Sequence, residues 1–274
     1  MSLSLDWSRG PHIKRRVSVR AVMLEQALAL APCIAAAVYL HTTALLLLLL
    51  ATAVTSVATE RLLSFALGKP KALPDGQYTV SAIIMTLLLP LGTAWWIGAL
   101  AGGIGAASAV LLGHSRLRLK VNPAIAGVLA AAGLRAALSE ALSAGTGTTA
   151  LYADAMPVLL AAGGLYLVVR GHVNWRTPAL VLGLSAALSA ALGQATWAVV
   201  SSGAWLSAAF FLAPDWRTSP ARRKGKDISA ALIAVTATLL SGYQLAAGGM
   251  PMAVLLGNLL TTPINRLSRP RRLE

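Results

Sequence analysis

The sharpest local feature of this sequence is a hydroxyl-rich, Gly-rich stretch, Ser143-Ala144-Gly145-Thr146-Gly147-Thr148-Thr149-Ala150-Leu151-Tyr152. Threonines exposed in such a loop can be modified, and glycines let the backbone approach a bulky ligand. On composition alone, a flexible connector is the simpler reading. Arg135 lies about two helical turns upstream in an otherwise apolar stretch. A charge on an apolar helix is costly and faces a polar partner. Its planar guanidinium suits a phosphate, but it could also snorkel to the interface or pair with Glu140 or Ser139. Asn122-Pro123 and Thr261-Thr262-Pro263 mark broken or newly starting helices, whose freed backbone groups could line a central site. Proline at a helix start is also ordinary structure. Asp75, Asp215 and Asp227 could guide Na⁺ or H⁺, or could balance nearby Lys and Arg and cap helices. His12, His41, His114 and His172 lack metal-ligand spacing, so neither a metal site nor a catalytic side chain is expected.

Apolar segments must position these residues. The chain of 274 residues is 57% hydrophobic and 12% charged, with mean hydropathy +0.70. So few charges could not cover the surface of a soluble domain, and a polytopic membrane protein is implied. The net charge of +14 would suggest nucleic acid in a soluble protein. Here the bases lie in short loops beside apolar spans, so membrane lipid is the expected partner and nucleic acid is not. All but one of the 23 Lys and Arg residues can be placed on one side of a membrane, Arg135 being the exception. Positive charge is retained on the cytoplasmic side, so this pattern fixes span number and orientation. Cys33 lies in an apolar span and is the single cysteine, so no internal disulfide forms.

The reading is all-α, with about ten transmembrane segments. They fall near 21–40, 43–66, 76–90, 93–113, 122–142, 155–170, 177–193, 197–214, 228–246 and 251–265. A basic arm (1–20) and a basic tail (266–274) are both cytoplasmic, and the Thr/Gly loop (143–154) is on the outer side. Trp95, Trp96 and Trp197 fall at the outer boundary, and Trp175 and Trp216 at the inner one, as an aromatic belt would. Residues 21–142 and 155–265 hold five segments each. The third and fifth of each set are short or interrupted by Pro and Gly. Five is odd, so the second set starts from the opposite side. This implies an inverted repeat whose broken segments meet near the midplane. The alternative is Pro/Gly scatter, which membrane helices tolerate.

Several strings occur in a telling order: Asp75-Gly76, Thr86-Leu87-Leu88-Leu89-Pro90, Trp95-Trp96, Asn122-Pro123-Ala124, Thr146-Gly147-Thr148-Thr149-Ala150-Leu151, Leu165-Tyr166, Arg170-Gly171, Trp175-Arg176-Thr177-Pro178, Ser202-Gly203, Ala209-Phe210-Phe211, Asp215 and Thr218-Ser219-Pro220. From about residue 60 to 270 the ordered set resembles the RnfD/NqrB family, flavin-carrying membrane subunits of Rnf and sodium-pumping NADH:quinone oxidoreductase complexes. The resemblance implies two inverted five-helix repeats, urea-transporter-like in fold, in a bacterial inner membrane. It implies FMN held as a phosphoester on Thr149, with Thr146, Gly147 and Thr148 forming the rest of the motif. Thr146 and Thr148 stand where Ser and Ala are usual. Arg135 and Asn122 are the further cofactor-binding candidates. A separate flavin transferase, using FAD as donor, would make the attachment. The family also accommodates a noncovalent riboflavin, although the stretch Gly113–Lys120 before Asn122 is more basic and less Gly-rich than such a site calls for.

The expected function is therefore an electron-transfer subunit of an Rnf-type ion-translocating oxidoreductase complex, not catalytic alone. Its implied partners are an outer FMN-bearing subunit and iron–sulfur subunits. The chain has no Gly-x-Gly-x-x-Gly motif, so NADH would be oxidised elsewhere. The inverted repeat equally fits a urea-transporter-like small-solute channel or transporter without flavin.

Overall fold

The computed structural model describes residues 18–68, 75–90, 92–115, 119–138, 156–242 and 249–268. Every regular element among them is helical. Helix α1 (Val19–Ala66) is followed by α2 (Gln77–Leu88), α3 (Trp95–His114), α4 (Pro123–Ala137), α5 (Met156–Val169) and α6 (Arg176–Ala191). Two single-turn helices, α7 (Thr196–Val200) and α8 (Gly203–Ser207), lead into a π-helical turn, Ala208–Leu212. Then come α9 (Arg223–Gly242), α10 (Gly249–Leu259) and α11 (Thr261–Leu267).

Among the described residues, three stretches are long and apolar enough to cross a membrane: Val19–Leu40, Ala44–Ala66 and Trp95–His114. Shorter apolar helices occupy the stretches expected to be short or broken, among them α2 with 12 residues and α10 with 11. At 1.5 Å per residue α2 reaches only about 18 Å, well short of a hydrocarbon core of roughly 30 Å. The stretch read as one segment over 197–214 is divided into α7, α8 and the π-helical turn. The tenth is divided at Leu260. Helix α4 ends at Ala137, five residues before the expected limit of 142, with Leu138 as its C-cap.

Helical residues follow one another without a break across the expected turn near residue 42, where Leu40-His41-Thr42-Thr43 offers neither Gly nor Pro. Yet α1 doubles back. Gly76 lies against Met23, where a Cβ on the glycine would come 3.3 Å from the Met23 Cβ. Ten residues later in the same short stretch, Thr86 hydrogen-bonds Thr52 at 2.8 Å. A straight helix would separate Met23 from Thr52 by about 44 Å, whereas Gly76 and Thr86 are only about 15 Å apart along α2. The two apolar halves of α1 therefore run back along each other.

Exposed Leu24, Leu28, Leu47, Leu50, Val54, Leu62 and Phe65 cover α1, more apolar surface than water tolerates on one face. The interior mixes apolar side chains such as Leu30, Met85 and Phe211 with small polar ones: Thr52, Ser56, Thr86, Ser185, Ser189 and Thr238 are buried. Lipid supplies no hydrophobic drive between helices, so close approach and interhelical hydrogen bonds hold them together. Ser56 Oγ donates to Gly102 O at 3.2 Å, fastening α1 to α3. At the α3–α4 crossing a Cβ on Gly105 would lie 2.3 Å from the Pro123 carbonyl oxygen. The α1–α5 crossing is as close, with the Gly163 position 2.3 Å from Ala29 O.

Gly105→Ala should therefore force α3 away from α4 and cost about 1–3 kcal/mol. Gly103→Ala, whose Cβ would meet only Thr59 Oγ1 at 3.5 Å, is the matched control. Thermal unfolding of the detergent-solubilised protein should separate the two; equal melting temperatures would refute the crossing geometry.

Candidate functional site

Both described members of the expected cofactor set, Asn122 and Arg135, lie on α4. Asn122 is its N-cap: Oδ1 accepts from Ala124 N at 2.9 Å, and Pro123 follows in the first turn, where a missing N–H costs nothing. The Asn122 amide points the other way, and Nδ2 donates to Asp215 Oδ2 at 3.0 Å. Thr218 Oγ1 donates to the same oxygen at 3.1 Å, and Arg217 N donates to Oδ1 at 3.2 Å. The Thr218 carbonyl accepts from Thr261 Oγ1, in the first turn of α11. Asn122, Asp215, Thr218 and Thr261 are all buried. One carboxylate thus joins the start of α4 to the loop after the π-helical turn, and through Thr218 to α11. Burial pushes the Asp215 carboxyl above the usual carboxylate range, against the lowering effect of the hydrogen bonds from Arg217 N, Thr218 and Asn122.

Arg135 lies in the last turn of α4, about 20 Å along the helix from Asn122. Its Nη1 donates to Thr93 Oγ1 at 2.8 Å, and that hydroxyl donates to Pro90 O at 2.6 Å. The guanidinium is thereby held against the turn between α2 and α3. This contact uses one of its five N–H groups, and the donor set suits a phosphate ester. Thr146, Gly147, Thr148 and Thr149 lie outside the described residues, as do Ser139 and Glu140. Helix α4 therefore keeps Asn122 and Arg135 apart, at opposite ends.

The three boundary aspartates cap helices and balance charge. Asp75 Oδ1 accepts from Gln77 N at 3.2 Å, and its Oδ2 lies 3.7 Å from Arg217 Nη1. Asp227 pairs with Arg176 at 2.8 Å. Glu25 accepts from Tyr166 and Arg170, joining α1 to α5. Thr93 was not among the expected partners of Arg135. Its one signal in the sequence is a hydroxyl set in the Pro90–Trp95 turn at the same level.

An all-helical, multi-pass membrane protein with broken helices joined at a buried carboxylate is the class defined by this fold. The chain belongs to the NQR2, RnfD, RnfE family, whose profile matches residues 6–129 and 124–274. It is 30% identical to the D-type subunit of the Na⁺-translocating ferredoxin:NAD⁺ oxidoreductase complex of Acetobacterium woodii, over 98% of this chain and 95% of that protein. It is 29% identical to the D-type subunit of the ion-translocating oxidoreductase complex of Halorhodospira halophila, over 96% and 93% of the two chains. It is 25% identical to the D-type subunit of the proton-translocating ferredoxin:NAD⁺ oxidoreductase complex of Clostridium ljungdahlii, over 96% and 94%.

Asp215→Ala would leave the buried Asn122 amide and Thr218 hydroxyl without their acceptor, and should cost about 1–3 kcal/mol for each group stranded. Asp215→Asn should be milder and should alter the pH response. The folded state raises the Asp215 pKa, so it binds this proton more tightly than the unfolded chain does. The stabilisation is complete below the ordinary carboxylate pKa of about 4 and is lost as pH rises through the higher folded value. Wild-type melting temperature should therefore fall relative to Asp215→Asn as pH rises from about 4. Parallel pH profiles for the two proteins would contradict this.

Proposed function

We propose that this chain is the RnfD-type membrane component of an Rnf-type ion-translocating oxidoreductase complex, and that Thr149 carries FMN as a phosphoester on the outer side of the bacterial inner membrane. The observation that carries the proposal is full-length kinship with the D-type components of such complexes, in a chain whose Thr/Gly loop connects α4 to α5. A bound flavin would supply a ring that takes up electrons singly or in pairs. Attachment needs only a hydroxyl: the Thr149 oxygen displaces AMP from FAD at the flavin-proximal phosphorus and loses its proton, on a separate flavin transferase. Arg135, held at the adjoining end of α4 by Thr93, would pair with the phosphoester and fix it against the protein. The other partners would be an outer FMN-bearing subunit and iron–sulfur subunits. A noncovalent riboflavin would be a second cofactor. The relatives include, by name, both a Na⁺ and a proton translocator, so the coupled ion is not a property of the family.

Ten crossings, an inverted repeat and cytoplasmic termini belong to the same proposal. The packing pairs support the repeat. In the first half, α1 packs on α3 and α3 on α4; in the second, α6 packs on α9 and α9 on α10. Between the halves, α1 meets α5, α2 meets α8 and α4 meets α10. In segment order these are first with first, third with third and fifth with fifth. Segments that lie near a pseudo-two-fold axis relating the halves pair in this way.

When the protein is produced with a flavin transferase and resolved on a denaturing gel, its band should fluoresce under ultraviolet light, and its intact mass should be raised by one attached FMN. Thr149→Ala should lose both signals while still inserting in the membrane. A dark wild-type band would refute the flavin reading and leave a small-solute channel or transporter of the same architecture. Arg135→Gln should retain less flavin than wild type; unchanged flavin content and activity would remove its phosphate role.

A further inference from the structure

The turn between α2 and α3 is closed on itself. Pro90 O accepts from Thr93 N at 3.2 Å and from Thr93 Oγ1 at 2.6 Å. Gly92, between them, has φ +77°, a left-handed conformation that glycine adopts without strain. Thr93 is buried, so backbone and packing together fix its side chain. The direction of each hydrogen bond here is forced. A guanidinium only donates, so Thr93 Oγ1 accepts from Arg135 Nη1 at 2.8 Å. The single hydroxyl proton then goes to Pro90 O. The turn therefore presents to the last turn of α4 a fixed, neutral acceptor, 42 positions earlier in the chain.

The neutrality of that acceptor matters. A carboxylate in its place would hold Arg135 as firmly but would take up its charge. An apolar side chain would leave the charge and let the long side chain swing among its rotamers. A hydroxyl whose own proton is already committed restrains the cation and leaves it cationic. An anion that then meets the guanidinium loses less conformational freedom on pairing, which is preorganisation. We propose that Thr93 is a positioning residue for the flavin anchor. It acts through Arg135, restraining the guanidinium so that its remaining donors serve the phosphoester on Thr149. The residue at position 93, remote from the Thr/Gly loop in the chain, thus sets how rigidly the attached flavin is held. This inference rests on the reading that Thr149 carries FMN.

The test uses the full-length protein, produced with a flavin transferase and solubilised in detergent. Fluorescence anisotropy of the attached flavin reports its mobility and does not depend on how much is attached. Thermal unfolding is followed alongside, so that only folded proteins are compared. Thr93→Val keeps the shape of the side chain and removes the acceptor; it should lower the anisotropy to the value of Arg135→Gln. Thr93→Ala, a second variant without the hydroxyl, should do the same. Thr93→Ser keeps the hydroxyl and should retain the wild-type value. Thr93→Val combined with Arg135→Gln should lower it no further than either alone, because the two residues act as one unit. Wild-type anisotropy in Thr93→Val and Thr93→Ala, an equal fall in Thr93→Ser, or additive losses in the double variant would each overturn the proposal and leave the flavin on Thr149 standing. A wild-type protein with no attached flavin would overturn both readings together.

Discussion

The Asp215 carboxylate holds the broken helices of this protein together. Helices that stop or start in a packed junction leave backbone and side-chain polar groups buried away from water. Here one residue gathers them. It accepts from the cap residue of α4, from the Arg217 amide and from Thr218, whose carbonyl in turn accepts from Thr261 at the start of α11. These groups come from both halves of the chain, 93 residues apart in the case of Asn122 and Asp215. Burying the carboxylate is costly in itself. Replacing its hydration by three donors that would otherwise be stranded offsets part of that cost.

Close packing supplies the rest. Gly105 against Pro123 O and Gly163 against Ala29 O let backbones approach to distances no side chain permits. The hydroxyls of Thr52, Ser56 and Thr86 then reach across the contacts so made. Large apolar side chains of α1 face both ways: Leu24, Leu28 and Leu50 are exposed, and Leu30 and Leu48 are buried. In a solvent as apolar as leucine, shape and hydrogen bonds select the inner face.

Local events were legible in the sequence. Asp75-Gly76 and Pro90 bracket the short α2, Asn122-Pro123 opens α4, and the Ser202-Gly203 region breaks the eighth stretch, because caps and breakers act on their own neighbours. Partners distant in the chain were hidden. Nothing in a run of apolar residues shows that Arg135 will meet Thr93, 42 positions earlier. Nor does it show that the amide of Asn122 will turn away from its own helix to find Asp215. Gln77 carried no signal either: a lone glutamine beside a basic boundary reads as surface until packing buries it. The doubling back of α1 was legible from the basic clusters on either side of it, although no residue at the turn breaks the helix.

The two ends of α4 have different chemistry. At one end Asn122 is consumed by capping and by the Asp215 junction, and nearby Arg217 is paired with Asp75. At the other end Arg135 is steadied by a threonine and not neutralised by it. A cation without a carboxylate partner among the described residues, inside an apolar boundary, is a costly arrangement for structure alone. It costs less once an anion is fixed beside it. A phosphoester tethered at Thr149, fourteen residues further on, would be held at high effective concentration, so even a weak ionic contact would remain formed. In the proposed topology every other base lies on the opposite face, which makes Arg135 the one basic residue able to play that part.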